Sequence, residues 1–251
     1  MTPEIVIIGH TIHETIRFPD RTIEPVLGSP VAYSSVIAGV LGAPVGIVTK
    51  IGQDMPPELL QPFAAAGVDT RGVRVAGPHS TRNLLIYDVT GNKQVQYLRK
   101  APDIFFDDIP VEYRGARLFF VCPMDYEVPL ETVQAIRALP ANTIVVDLGG
   151  YGGATSDTHP SLDERRDPAA LRSLIRHVDI VKASIEDCRH IVEHTDEEAL
   201  GRLFVSWGAQ VGMVTLGERG AIAVTPDTVY RIPAFPSRAV DATGAGDAFS
   251  A

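Results

Sequence analysis

Little in this chain of 251 residues could staple it covalently, because it has only two cysteines, Cys122 in an apolar run and Cys188 beside acids. That excludes a disulfide framework and a cysteine-built metal site, and it predicts reduced thiols in a cytoplasmic setting. A long hydrophobic run is also missing. The opening Met1-Thr2-Pro3-Glu4 has neither the basic start nor the extended apolar stretch of an export signal, and no segment has the length and apolarity to cross a bilayer. Positive charge is scarce: Lys and Arg number 22 against 31 acids, for a net charge of −9. Without a basic run or a basic stripe spaced by aromatics, nucleic acid is not an expected partner. Phosphate binding stays open, since backbone N–H groups, a few cations and a metal can neutralise an anion locally. Repeats and low-complexity linkers are absent, and a hydrophobic content of 45% supports a substantial core.

What is present alternates between apolar strands and helices. Ile5 to Ile8 and Val45 to Thr49 read as buried strands, with a helix between Ser34 and Leu41. Pro57 to Ala66 reads as helical, with Pro near its start and Gly67 past its end. From Val73 to Leu98 the runs shorten. Leu84 to Tyr87 and Val95 to Leu98 flank the turn-forming Thr90-Gly91-Asn92-Lys93, which predicts a hairpin or small sheet. Further strands are expected at Leu118–Val121, Thr143–Asp147, Ile180–Lys182 and Val211–Leu216. Helices are expected near Pro129–Leu139, Pro168–His177, Ile185–Glu193 and Glu197–Trp207. Helical crossovers between apolar strands predict an α/β fold with a mostly parallel sheet covered on both faces. A closing hairpin, Ala221–Val224 with Val229–Ile232, precedes the most informative residues of the chain.

Those residues are the last eleven, Asp241 to Ala251. In Gly244-Ala245-Gly246-Asp247, small residues let consecutive N–H groups face an anion where a helix begins, a place that favours negative charge. Asp247 at the same end is placed to accept a proton beside a phosphate; the bland alternative is a turn whose Asp caps a helix. Upstream, Thr215-Leu216-Gly217-Glu218-Arg219-Gly220 ends a strand in a loop with two glycines, either a β-turn or a close approach for a nucleotide. In Lys182-Ala183-Ser184-Ile185-Glu186-Asp187 a strand passes into a helix, with Ser184 as N-cap. Asp147, at another strand end, is a weaker candidate for the same cleft. His190 and His194 are spaced as a metal pair but lack a third ligand, and Gly149 to Gly153 lacks the register of a dinucleotide loop.

The full string Asp-Ala-Thr-Gly-Ala-Gly-Asp-Ala-Phe-Ser closely resembles the C-terminal hallmark of the ribokinase-like (PfkB) family of sugar and nucleoside kinases. The resemblance runs from Ile5 to the end of the chain and implies a three-layer α/β/α domain over residues 1–251. A small β lid is expected from segments near 10–30 and 73–100. Relatives continue beyond this motif, so a C-terminal part of the domain is expected to be missing from the sequence given. The implied reaction is ATP-dependent phosphorylation of a hydroxyl on a sugar, sugar derivative or cyclitol. Asp247 is then the base, and the Gly244, Ala245 and Gly246 N–H groups stabilise the transferring phosphoryl group.

By the same resemblance, Lys182, Ser184, Thr215, Gly217, Gly220 and Thr243 fall on the nucleotide side, and Mg²⁺ accompanies ATP. Asp187 stands where the family's metal-organising Glu is found, one methylene shorter. Asp241, with backbone near it and Thr243, falls at a monovalent-cation (K⁺) site. On the acceptor side, Glu14 takes the place of a substrate-binding Asp, and a carboxylate suits neighbouring hydroxyls. Gly28-Ser29 and Tyr33 replace the family's Gly-Gly-x-x-x-Asn, which disfavours ribokinase itself and a typical fructokinase and points to the inositol-kinase-like branch. Arg82 and Asn83 start the lid hairpin. Two alternatives accompany this reading: a nucleoside acceptor, which an aromatic sandwich from Phe18, Tyr33 and Phe105 would support, and a catalytically silent sugar- or nucleotide-binding regulator. A homodimer through the lid is the expected assembly.

Overall fold

The computed structural model describes residues 2–89, 93–153, 168–192, 196–238 and 243–251. Nine of the described strands form one sheet: β1 (Ile5–Ile8), β4 (Val45–Ile51), β5 (Asp69–Val75), β8 (Leu118–Val121), β9 (Thr143–Asp147), β10 (Ile180–Ser184), β11 (Val211–Thr215), β12 (Ala221–Val224) and β13 (Val229–Ile232). Four others, β2 (Ile12–Arg17), β3 (Thr22–Gly28), β6 (Arg82–Tyr87) and β7 (Lys93–Arg99), form a separate small sheet. The described helices are α1 (Pro30–Val40), α2 (Gln61–Ala65), α3 (Leu130–Arg137), α4 (Pro168–Ile175), α5 (Ile185–Ile191), α6 (Glu197–Trp207) and α7 (Ala245–Ser250). No helix among the described residues is long and apolar enough to cross a membrane.

The large sheet is parallel from β5 to β11 and antiparallel only through β12 and β13. Its β-branched runs are buried on both faces. Val6 and Ile8 join one apolar cluster with Phe119 and Val121, whereas Ile7 joins a second with Phe120 and Ile47. Side chains alternate across a strand, so each of these runs serves two cores, which explains why they lack a polar face.

Sheet order matters more than its size. In the order β13-β12-β11-β10-β9-β8-β1-β4-β5, β4 and β5 step outward on one side of β1, and β8 then returns to the other side. The order therefore reverses between β1 and β8, and a crevice opens beyond the carboxyl ends of strands at such a reversal.

The helix ends are set by local chemistry. Ser184 and Asp187 cap each other at the start of α5: Asp187 N–H donates to Ser184 Oγ at 3.0 Å, and Ser184 N–H donates to Asp187 Oδ2 at 2.7 Å. Helix α1 starts at Pro30, earlier than the small-residue run suggested, because Ser29 caps it by accepting from Ala32 N–H and Pro suits the first turn. In the small sheet β2 and β6 are parallel and the other pairings antiparallel. Residues 12–17, 22–28, 82–87 and 93–99 build it, whereas residues 73–75 of the expected lid segment instead end β5 in the large sheet. β3 contains Pro25, which is tolerated because β3 is an edge strand.

Candidate active site

One end of the crevice is built from the carboxyl ends of β9 and β10 and the start of α7. Gly244 caps α7 at φ +72°, the left-handed region that glycine adopts without steric cost, and the first helical hydrogen bond runs from Ala248 N–H to Gly244 O at 2.8 Å. The N–H groups of Gly244, Ala245 and Gly246 lie ahead of that first bond, at a helix start, a place that favours an anion. A Cβ on Gly244 would stand 2.9 Å from the Tyr33 ring, so no other residue fits against that aromatic face.

Beneath the loop lies a buried ion pair. Lys182 Nζ donates to Asp147 Oδ2 at 2.7 Å, with the two residues 6% and 5% exposed. The position of a Cβ on Gly246 would be 3.6 Å from Lys182 Nζ. Burial opposes the Lys182 charge, but Asp147, followed by Asp187 and Asp247, outweighs it and raises the ammonium's pKa. Asp247 also makes itself felt at the end of β8. Burial first, then Asp147, Asp247 and Glu127, push the Cys122 thiol well above its ordinary range. The expected base is thus held over the β1/β8 reversal, and Ser34 Oγ of α1 donates to its main-chain oxygen at 2.9 Å.

Across the crevice, Glu14 and Asn83 are partners in the β2/β6 register, and each adjoins a register shift, in β2 between Glu14 and Ile16 and in β6 between Arg82 and Asn83. Bulges next to a site re-aim side chains. Glu14 is 8% and Asn83 1% exposed. The Glu14 carboxyl lies on Gly28, where a Cβ would be 2.5 Å from its Cδ, so Gly28 is a close-approach glycine. Ser29 next to it has φ +113° and ψ 156°, a region essentially reserved for glycine. Tyr97 of β7 completes this wall: burial, then Glu127, Asp125 and Glu14, raise its phenol pKa far above normal. Arg82 faces elsewhere, donating to Thr15 Oγ1 at 3.1 Å and Glu24 Oε2 at 3.4 Å, so it does not join Glu14 and Asn83.

Two buried residues that carry no sequence motif tie this wall to the core. Glu127, fully buried, accepts from the N–H groups of His10 at 2.9 Å, Met124 at 2.7 Å and Asp125 at 2.7 Å, joining the segments that follow β1 and β8. His10, also fully buried, has Nε2 3.1 Å from Pro102 O and Nδ1 2.8 Å from Thr81 Oγ1, while Ala101 N–H donates to that hydroxyl at 2.9 Å. This chain of donors is complete when Nε2 carries the proton and Nδ1 accepts, so His10 is neutral. It joins the end of β1 to both approaches of the β6/β7 hairpin. The nearby Asp125, 1% exposed with Oδ2 3.8 Å from Lys100 Nζ, is a further carboxylate on this wall.

The other sequence-derived candidates fall as follows. Asp187 commits Oδ2 to Ser184 N–H and hydroxyl, both at 2.7 Å. Gly217 and Gly220 have φ of +60° and +90°, and a Cβ on Gly220 would collide with Ile232 O, so a turn accounts for both, beside Thr215 at the end of β11. Thr243 is exposed at the mouth of the loop; Asp241 lies outside the described residues, as do His194 and the side chain of His190. Phe18 stacks on Tyr87 at 5.0 Å, Lys50 Nζ stands 5.5 Å over Phe105, and Tyr33 packs on Gly244, so the three aromatics have separate partners and form no sandwich. Among the described residues no group of three or more His, Cys, Asp or Glu forms a metal cage.

The comparisons with known proteins fit this geometry. The pfkB family carbohydrate kinase profile matches residues 153–251. The cytidine kinase of Thermococcus kodakarensis is 30% identical over 98% of this chain and 86% of its own length. A fructokinase of Escherichia coli is 24% identical over 100% of the chain and 83% of its own length. A solved pyrophosphate-dependent kinase in the ribokinase family, in a sulfate complex, has the same fold, with a TM-score of 0.80 at 19% identity over 97% of this chain and 83% of that one. With that whole-length match to a cytidine kinase and a crevice assembled as above, the chain belongs to the PfkB family of sugar and nucleoside kinases and is an ATP-dependent phosphotransferase.

Proposed function

We propose that this protein transfers the γ-phosphoryl group of ATP to a hydroxyl of a small polyol, a sugar, sugar derivative or cyclitol, with Asp247 as general base. The observation that carries the reading is the placement of Asp247 on the first turn of α7. There it opens α7 beside the Gly244-Ala245-Gly246 backbone, and its charge acts on Cys122 at the end of β8, next to the reversal between β1 and β8. Asp247 takes the proton of the acceptor hydroxyl as that oxygen attacks. The Gly244, Ala245 and Gly246 N–H groups stabilise the charge on the transferring group, and Lys182 adds a fixed positive charge beneath them. Glu14 and Asn83 bind the other acceptor hydroxyls, the carboxylate accepting from two neighbours and the amide both donating and accepting.

Mg²⁺ suits this donor set. Asp147, Asp187 and Asp247 all act on the single ammonium of Lys182, so a polyphosphate entering alone would meet excess negative charge. Asp187 would hold the ion through bound water, and the ion would neutralise the phosphates. A homodimer across the small sheet belongs to the same proposal, supported by exposed Ile23 and Leu98, 44% and 49% accessible; a monomer by light scattering would count against it.

A nucleoside acceptor is the second reading, favoured by the identity with a cytidine kinase. The missing aromatic sandwich weighs on the polyol side. Measuring ATP consumption with sugars, cyclitols and nucleosides including cytidine separates the two. Asp247→Asn is expected to lower kcat by about 10²–10⁴-fold with ATP affinity retained. Near wild-type turnover in that variant would sink the mechanism.

A further inference from the structure

Neither the anion loop nor the acceptor wall explains why Asp147 is buried beside Lys182. The two residues are direct partners in the β9/β10 register, at the carboxyl ends of neighbouring parallel strands. Both oxygens of Asp147 are engaged: Oδ2 accepts from Lys182 Nζ at 2.7 Å, and Oδ1 accepts from Gly149 N–H at 2.9 Å. The carboxylate is thereby fixed from the strand on one side and from its own following loop on the other. A buried ion pair is a poor way to stabilise a fold, because the desolvation of two charges consumes most of their attraction and an apolar pair of similar volume often does better. Its retention here asks for another reason.

The surroundings of Lys182 supply one. Asp147 from β9 is its hydrogen-bonded partner, the charges of Asp187 from α5 and Asp247 from α7 also act on it, and it acts in turn on the Cys122 thiol at the end of β8. A lysine is a point charge on a flexible stem. Released from Asp147, the ammonium would be free to swing on that stem from its place under the Gly246 backbone. We propose that Asp147 is a positioning residue for the phosphoryl donor, holding the Lys182 ammonium under the Gly246 backbone. This rests on the reading of Gly244–Asp247 as the donor-phosphate loop.

Calorimetric titration of the full chain with MgATP tests it without needing the acceptor. Asp147→Asn and Lys182→Met should each weaken MgATP binding about tenfold or more, the range expected when a hydrogen bond to a charged group is lost. In the Lys182→Met background, Asp147→Asn should add nothing, and Asp147→Glu alone should recover part of the affinity. The double variant Asp147→Leu/Lys182→Met should melt no lower than wild type while still binding MgATP poorly, a combination that a purely structural role would not give. This variant also covers the case in which Asp147→Asn alone fails to fold. Wild-type affinity in Asp147→Asn, or an undiminished loss in the Lys182→Met background, would overturn the proposal alone. Absence of MgATP binding by the wild type would overturn the donor-loop reading and the proposal together.

Discussion

The two sides of the crevice are built by different means. The proposed donor side rests on backbone: a short contiguous stretch, Gly244 to Asp247, opens α7, with one ion pair beneath it. The proposed acceptor side rests on side chains from β2, β6 and β7 and from the segment after β8, tied by the buried His10 and Glu127 networks. Backbone donors suit a constant phosphate. Side chains on separate strands can be exchanged singly, which suits an acceptor that differs from one relative to the next, such as the cytidine kinase and the fructokinase similar to this chain.

The most direct way to break that division is Glu14→Gln. Loss of a hydrogen bond to a charged group is worth about 1.5–3 kcal/mol, so the KM for the acceptor should rise roughly 10–100-fold. The KM for ATP should stay at its wild-type value. Steady-state kinetics with each substrate varied in turn would decide it, and an equal rise for ATP would mean that the two walls are not separate.

The same division explains what could be read in advance. The donor loop is contiguous, its residue types state its chemistry, and the β-branched runs of the large sheet announce buried strands. The acceptor wall gives no such signal. No periodic run marks Ile12 to Arg17, which only the family resemblance places in the lid, yet it is a strand that pairs with both β3 and β6. Glu127 and Asp125 look like ordinary loop acids between prolines, since only the packing of distant segments makes them buried. Arg82 and Asn83 are adjacent in sequence, and only the β2/β6 register decides which one stands opposite Glu14. Ser29 is the exception among these positions. Read as standing in a glycine's place, it has a backbone conformation that glycine would take.

His10 allows the division to be sharpened by pH. Its burial, only partly offset by Glu127 and the Pro102 carbonyl, lowers its pKa from the ordinary 6.5. The unfolded chain therefore binds a proton below that pH which the native state refuses, and stability falls as the pH drops through about 6.5. The contribution approaches about 1.4 kcal/mol per pH unit. His13, whose pKa is also lowered by burial and then by Arg82, acts in the same sense. His10→Asn should remove part of the slope of stability between pH 6.5 and 5, measured by denaturant titration. Because the network spans the acceptor wall, acceptor KM should rise on acidification before ATP KM does. A slope unchanged by the substitution would show that His10 is protonated in the native state.

The smallest effect is expected at the joint between the small sheet and the core. Ser29 lies between β3 and α1 with φ +113°, and a non-glycine residue in that region costs about 1–3 kcal/mol. Glycine would remove the strain but lose the cap to Ala32 N–H, worth only a few tenths of a kcal/mol relative to glycine, and would make the unfolded chain freer by about 0.4–1 kcal/mol. At mid-range values the balance is a gain of about 1 kcal/mol for Ser29→Gly, read as a higher denaturation midpoint at constant m-value. Ser29→Ala removes the cap and keeps the strain, so it should lose about 1 kcal/mol. If the glycine variant is the less stable of the two, the strain is not relieved at this joint. The Ser29 hydroxyl would then be what fixes α1, with Tyr33 and Ser34 on it, against the donor loop.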